Sequence, residues 1–209
     1  MSELTLDEVE KLCSGFESFL FMVEACAPNS LVEVSHGLQN RGQDFWSELL
    51  KEAWTAHAPS DAQGLLAQIY LQPYAELLRS RALLRRVSTA YALCPFCNRK
   101  PGLGVMRQVG DGGARSMVCS FCLAEWEFRR IVCPGCGEEN EKALPVFTAS
   151  EFDFIRVESC DTCKTYIKTV DLTKNGHAEP LVDELASIPL DLWAREHGYA
   201  ELQNNLLGM

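Results

Sequence analysis

Cys94-Pro-Phe-Cys97, Cys119-Ser-Phe-Cys122, Cys133-Pro-Gly-Cys136 and Cys160-Asp-Thr-Cys163 decide how this chain is to be read. Twenty-one residues separate the first pair from the second, ten the second from the third and twenty-three the third from the fourth. Two matched halves follow, an internal repeat of about forty residues. Two residues between cysteines let a tight turn point both sulfurs at one ion, and a hairpin of about 20 residues brings a second such turn to complete a tetrahedron. The economical pairing is sequential: Cys94, Cys97, Cys119 and Cys122 at site 1, and Cys133, Cys136, Cys160 and Cys163 at site 2. Crossed pairing is the open alternative. Each half then reads as a rubredoxin-like or zinc-ribbon module.

Two other chemistries use the same dipeptide spacing. Redox-active pairs belong at strand-to-helix junctions of βαβ units, whereas these lie among short alternating strands. Disulfides belong to oxidising compartments, and the opening Met1-Ser-Glu-Leu-Thr-Leu-Asp-Glu lacks the basic-then-apolar pattern of a secretory signal. No apolar run approaches the ~20 residues of a membrane span. The expected location is therefore cytoplasmic, without membrane insertion, and metal is the leading reading. A tetrahedron of sulfurs suits iron and zinc alike. All four ligands at each site are thiolates, which leaves no position for activated water, so the chain is expected not to be an enzyme.

Outward from the cysteines, Gly110-Asp-Gly-Gly113 marks a turn between strands Val105–Val109 and Ala114–Val118. Further strands are predicted at Glu125–Val132, Leu144–Phe147, Arg156–Ser159 and Thr165–Val170, with Glu125–Val132 the only link between ribbons that pack as one unit. Upstream, apolar residues at helical spacing predict a helix from Thr5 to Ala27, opened by a Thr5/Glu8 capping box and ended by Pro28-Asn29. Ser30 with Glu33 predicts a second helix to Gln39, Phe45 to Trp54 a third, Ser60 with Gln63 a fourth, and Pro73 a fifth using Leu77, Leu78, Leu84 and Val87. The expected architecture is α+β: a helical bundle at 1–90, ribbons at 91–130 and 131–175, and a C-terminal tail at 176–209 with a helix from Pro189 to His197 stopped by Gly198.

Net charge is −10, with no basic stripe in any segment, which argues against nucleic acid, whose binding rests on cations neutralising phosphates. Cys13 and Cys26 are expected to be buried as small hydrophobes. His36, His57, His177 and His197 form no metal or triad pattern, and Arg79, Arg81, Arg85 and Arg86 read as a solvated helix face.

The run from Cys94 to Cys136-Gly137, including Trp126 and Arg129, and the segment Tyr166-Ile-Lys-Thr-Val-Asp171-Leu followed by Pro180-Leu-Val-Asp183-Glu184 and Pro189-Leu-Asp191-Leu-Trp193-Ala194, resemble the FdhE-type formate dehydrogenase accessory proteins over about residues 91–200. The resemblance implies two rubredoxin-like metal sites holding iron or zinc. It also implies a cytoplasmic, chaperone-like protein that binds the catalytic subunit of a formate dehydrogenase and supports its maturation. It assigns the eight paired cysteines as ligands and makes Arg129, Asp183 and Glu184 candidate partner contacts, with Trp126 and Trp193 as packing residues. The helical region before Cys94 is shorter than is usual in that family. Rubredoxin-like electron transfer and a zinc-ribbon nucleic-acid module are the rival readings, and a homo-oligomer is compatible with all three.

Overall fold

The computed structural model describes residues 5–56, 58–59, 61–82, 92–110 and 112–204. His57, Ser60, Leu84, Arg85, Arg86 and Val87, on which several expectations fell, lie outside that set. The chain divides into two compact units, Met1–Leu78 and Arg79–Met209.

In the first unit the capping box forms as expected: Glu8 N–H donates to Thr5 Oγ1 at 3.3 Å and Thr5 N–H to Glu8 Oε2 at 2.7 Å, which starts α1 (Leu6–Cys26). Its buried stripe is Val9, Cys13, Phe16, Leu20 and Val23, one face at 3.6-residue spacing. Cys26, by contrast, is exposed, with its thiol donating to Met22 O at 3.0 Å. The second helix, α2 (Asn29–Gln39), starts ahead of Ser30: Pro28 is its N-cap, with no side-chain cap bond. Next comes α3 (Gln43–Thr55), which buries Trp46, Leu50, Ala53 and Trp54. Phe16 packs edge-on against Trp46 and Tyr70 at centroid distances of 5.9 and 5.0 Å. Tyr70 approaches so closely that a Cβ at Gly15 would lie 2.6 Å from its hydroxyl oxygen.

The expected fourth and fifth helices are one helix, α4 (Ala62–Arg81), with Pro73 inside it. An internal proline costs about 3 kcal/mol. Leu66, Ala67, Leu71 and Ala75 are all buried, and burying each large apolar side chain returns roughly 1.5–3 kcal/mol. Continuity of that apolar face outweighs the lost hydrogen bond.

The second unit is one sheet. β1 (Pro101–Val109), β2 (Gly112–Cys119) and β3 (Glu125–Glu127) form the first ribbon, and β4 (Val146–Thr148), β5 (Ile155–Cys160) and β6 (Thr165–Asp171) the second. The order is β3-β2-β1-β6-β5-β4, with β7 (Ala200–Glu201) parallel to β6. The ribbons are joined by parallel pairing of β1 with β6, Gly104 opposite Thr169. A Cβ at Gly104 would meet Thr169 Oγ1 at 2.3 Å, so a glycine is needed there. The expected strand link at Glu125–Val132 is corrected: β3 ends at Glu127. Residues 128–132 are instead pinned by buried Arg115, whose Nη1 donates to Arg129 O at 3.0 Å and Val132 O at 3.2 Å while Nη2 pairs with Glu158 of β5.

Two helices close the other sheet face, α5 (Pro180–Ala186), which was not anticipated, and α6 (Ile188–Glu196). Leu190 and Ala194 pack on Ile155, Val157, Tyr166 and Val170, with Trp193 and Phe147 beside them at 4.7 Å. Beneath the helices lies fully buried Lys168. Its Nζ donates to Glu184 O at 2.6 Å, Asp191 Oδ2 at 2.8 Å and Glu184 Oε1 at 2.9 Å, and Tyr166 Oη donates to Asp191 Oδ1 at 2.8 Å. All three ammonium protons are used. Among the described residues, no helix is long and apolar enough to cross a membrane.

Lys168→Met should destabilise the protein by about 3–5 kcal/mol, because it leaves two buried carboxylates without their cation. A shift in the midpoint of denaturant unfolding measures this, and a change below about 1 kcal/mol would refute the locking role.

Candidate metal centres

Each Cys-x-x-Cys turn is built alike. Cys94 N–H donates to Arg99 O at 2.8 Å and Cys133 N–H to Glu138 O at 2.9 Å; Asn98 and Gly137 N–H return to the carbonyls of Cys94 and Cys133 at 2.9 and 3.0 Å. The backbone folds over the sulfur as well: Phe96, Phe121 and Gly135 N–H donate to Cys94, Cys119 and Cys133 Sγ at 3.4, 3.4 and 3.3 Å. The residue after each second cysteine is left-handed, with φ of +62° at Asn98, +52° at Leu123, +79° at Gly137 and +56° at Lys164. A non-glycine residue in that region costs roughly 1–2 kcal/mol. Three such residues are held in place, and a structural metal supplies on the order of 10 kcal/mol, enough to outweigh them.

The hairpins bring the turns together in sequential pairs. Cys94, Cys97, Cys119 and Cys122 place their sulfurs within 4.8 Å of one another, as do Cys133, Cys136, Cys160 and Cys163. Across each site the separations are 3.6 Å for Cys94–Cys122, 3.3 Å for Cys97–Cys119, 3.6 Å for Cys133–Cys163 and 3.7 Å for Cys136–Cys160. A tetrahedron with metal–sulfur bonds of about 2.3 Å has edges of about 3.8 Å. A disulfide needs about 2.05 Å, and all ten cysteines are free. Both donor sets therefore fit a tetrahedral ion of the iron or zinc kind.

The electrostatics ask for a cation. In site 1, hydrogen bonds from Cys119 and Cys122 hold Cys94 and Cys97 below the usual thiol range, while Cys119, donating to Cys122, Cys94 and Cys97, is driven far above it. Cys122 accepts from Cys119, but its donation to Cys94 and Cys97 and its burial raise it overall. In site 2, burial pushes Cys133 up to about 12, whereas Cys163, although desolvated, is held at about 7 by the hydroxyl and backbone of Thr165. Four sulfurs this close cannot all be thiolates on their own, and one divalent ion removes the conflict.

Arg99 adds charge at site 1. It is 2% exposed, its guanidinium stacks 3.6 Å above the Phe121 ring, and burial lowers its pKa against the opposing pull of the Cys97, Cys119 and Cys122 sulfurs. Four thiolates around a divalent ion carry two net negative charges, one of which Arg99 offsets. The sites differ in access at one ligand: Cys97 of site 1 and Cys163 of site 2 are both half-buried, Cys94, Cys119, Cys122, Cys133 and Cys160 are buried, and Cys136 of site 2 is open to solvent.

The candidate partner contacts scatter. Glu184 is corrected: its carboxylate is buried against Lys168 and faces no partner. Asp183 accepts from Glu179 N–H at 2.7 Å, capping α5. Arg129 is exposed and paired with Glu139. Trp126 is buried and Trp193 packs with the α6 core. A third acidic group, Glu184, Asp191 and Glu201, already has its cation in Lys168. His36 lies 3.2 Å from Glu24, and His197 stacks on Trp193 at 4.1 Å. The pattern of cysteines carried the sites; nothing in it signalled Arg99 or Lys168, because a charge beside an apolar residue reads as surface.

Family models described as FdhE, central domain and FdhE, C-terminal domain match residues 93–130 and 131–207. Their border falls in the loop held by Arg115. A Protein FdhE homolog of Aquifex aeolicus is 36% identical over 140 residues, 66% of this chain and 50% of that protein. Another from Pseudomonas aeruginosa is 37% identical over 123 residues, 55% of this chain and 39% of that protein. The chain thus spans half or less of these relatives. The crystal structure of the FdhE protein from Pseudomonas aeruginosa superposes with a TM-score of 0.71 at 28% identity, covering 98% of this chain and 74% of that one.

Two outcomes follow for the metal-loaded protein. A chelator should remove the site 2 ion first, with Cys136 the first paired cysteine to be alkylated, as read by metal release and peptide mass mapping; equal release from both sites would contradict the access argument. Gly137→Ala should cost about 1–2 kcal/mol through its backbone conformation alone, since open space surrounds the added Cβ.

Proposed function

This chain belongs to the FdhE family, and from that premise we propose that it is an accessory protein of formate dehydrogenase, a metal-shaped platform that holds the catalytic subunit during maturation. The observation that carries the reading is the closure of both sites. Every position of each tetrahedron is a cysteine sulfur, so the ions shape the protein and offer no coordination site to a substrate. The protein acts as a binding scaffold and not as an enzyme, and its place of work is the cytoplasm.

The scaffold is well suited to that task. Sites 1 and 2 fix the ends of two hairpins, β1–β6 pairing joins them, and the Lys168 lock holds α5 and α6 on the sheet. Leu181, Val182 and Leu192 stand exposed on those helices, an apolar surface of the kind partners cover. Glu184, being internal, supports it from below.

Electron transfer through iron is the second reading, and the solvent-open Cys136 sulfur favours it. Reversible ferric–ferrous cycling in the iron-loaded protein, with no retention of a dehydrogenase subunit, would establish it in place of the first. The decisive experiment is affinity capture with the metal-loaded chain. The catalytic subunit should be retained, and Cys94→Ser and Cys133→Ser, each losing one ion, should weaken retention about tenfold or more. A folded, metal-loaded chain that retains no formate dehydrogenase subunit would overturn the proposal.

A further inference from the structure

The two halves of the cysteine repeat carry opposite charges at the same position. Arg99 and Glu138 each stand two residues past the second cysteine of a Cys-Pro-x-Cys turn, and their carbonyls accept the N–H of Cys94 and Cys133 at 2.8 and 2.9 Å. Phe121 and Thr162 each stand two residues past the first cysteine of the opposing turn. In site 1 the Arg99 guanidinium lies 3.6 Å from the Phe121 ring centroid; in site 2 Thr162 Oγ1 donates to Glu138 Oε2 at 2.7 Å. Equivalent positions thus clasp the two turns of each site together, through a cation in one and a carboxylate in the other.

The settings of the two charges differ as well. Arg99 is 2% exposed and Phe121 is fully buried, so the guanidinium acts where the dielectric is low. Phe121 N–H donates to Cys119 Sγ at 3.4 Å, which places the ring under Arg99 in the wall of site 1. Glu138 is partly exposed, and its Oε1 accepts from Glu139 and Asn140 N–H at 3.0 and 2.9 Å, which holds the carboxylate in position. Asp161 and Lys164, in the opposing turn of site 2, pair with each other at 2.7 Å and nearly cancel. Lys100, beside site 1, is exposed and screened by solvent.

A four-thiolate centre carries two net negative charges with a divalent ion and one with a trivalent ion. Burial penalises the more highly charged form, so a buried site that keeps a divalent ion needs a cation in its wall. Charge and burial around such a centre also set its reduction potential. We propose that Arg99 and Glu138 set the charge states of the two centres: Arg99 commits site 1 to a divalent ion, and Glu138 favours a trivalent one at site 2. One electron added to a ferric centre takes it from one negative charge to two, with no bond made or broken. Arg99 stabilises the product of that step, and Glu138 opposes it. The assignment rests on the two closed sites and is independent of the accessory-protein reading.

The test is a potentiometric titration of the full, iron-loaded chain, with dithionite as reductant and the sulfur-to-ferric absorbance as the signal. Arg99→Gln should lower the midpoint of one centre, cutting its ferrous-to-ferric ratio at fixed potential about tenfold, which is about 59 mV for a one-electron couple. Arg99→Lys, which keeps the charge, should stay within about threefold of the wild-type ratio. Glu138→Gln should raise the midpoint of the other centre, by about threefold in the same ratio, because solvent screens a charge at the surface. Glutamine keeps the oxygen that accepts from Glu139 and Asn140, so this variant should fold and hold its iron. Should Arg99→Gln lose its iron, Arg99→Lys and Glu138→Gln still decide the matter. The proposal is overturned if neither midpoint moves, if Arg99→Lys shifts its centre as far as Arg99→Gln, or if Glu138→Gln lowers a midpoint.

Discussion

Four sulfurs drawn to one point are the constraint on which the second unit depends. Convergence to within 4.8 Å requires each pair to sit on a turn tight enough to aim both side chains inward. Such a turn is completed by a left-handed residue, which the chain supplies as asparagine, leucine, glycine and lysine in the four instances. Only one of the four is glycine. The conformation is therefore imposed by ligation and by the backbone bonds of the turn, more than encoded by the residue that adopts it.

From that constraint the sheet follows. Each hairpin must span from one turn to its partner, which fixes the lengths of β1–β2 and β5–β6, and their free edges then meet in the parallel β1–β6 pairing. Buried charge orders what remains. Arg115 reaches from β2 to the linker carbonyls and to Glu158 on β5, so one side chain touches both ribbons and the segment between them. Lys168 does the same for β6, α5 and α6. Buried ion pairs add little net stability over an apolar core; here they tie position to charge, since Glu184 of α5 and Asp191 of α6 meet at the same ammonium.

Legibility in the sequence tracked periodicity and spacing. The cysteine spacing announced two four-sulfur sites, the α1 stripe and its Thr5/Glu8 cap gave a helix to within a residue, and the glycine-rich turn gave the β1–β2 hairpin. The failures have physical causes. Pro73 looked like a helix start because the local rule is strong, yet the buried face from Leu66 to Ala75 ran through it. The α5 helix was invisible because its pattern is inverted: Leu181 and Val182 are exposed and the residue it buries is Glu184. Strand pairing between β1 and β6 is set by backbone proximity across more than sixty residues of chain, and no local signal carries it.

The balance between core and metal gives the ions their significance. The first ribbon buries Leu103, Val105, Met106, Met117, Val118, Phe121, Trp126 and Phe128, worth roughly 1.5–3 kcal/mol apiece, a gross sum that the entropy of ordering the chain, about 1–2 kcal/mol per residue, largely cancels. A four-thiolate ion, at about 10 kcal/mol, is as large as the balance that remains. The ion thus decides whether the ribbon's surface exists. In the second ribbon the α5 and α6 helices and the Lys168 lock add to a core of Ile155, Val157, Tyr166 and Val170, so its ion works beside other supports. The one ligand open to solvent, Cys136, belongs to that second site, where the loss of an ion meets packing that extends beyond the ribbon itself.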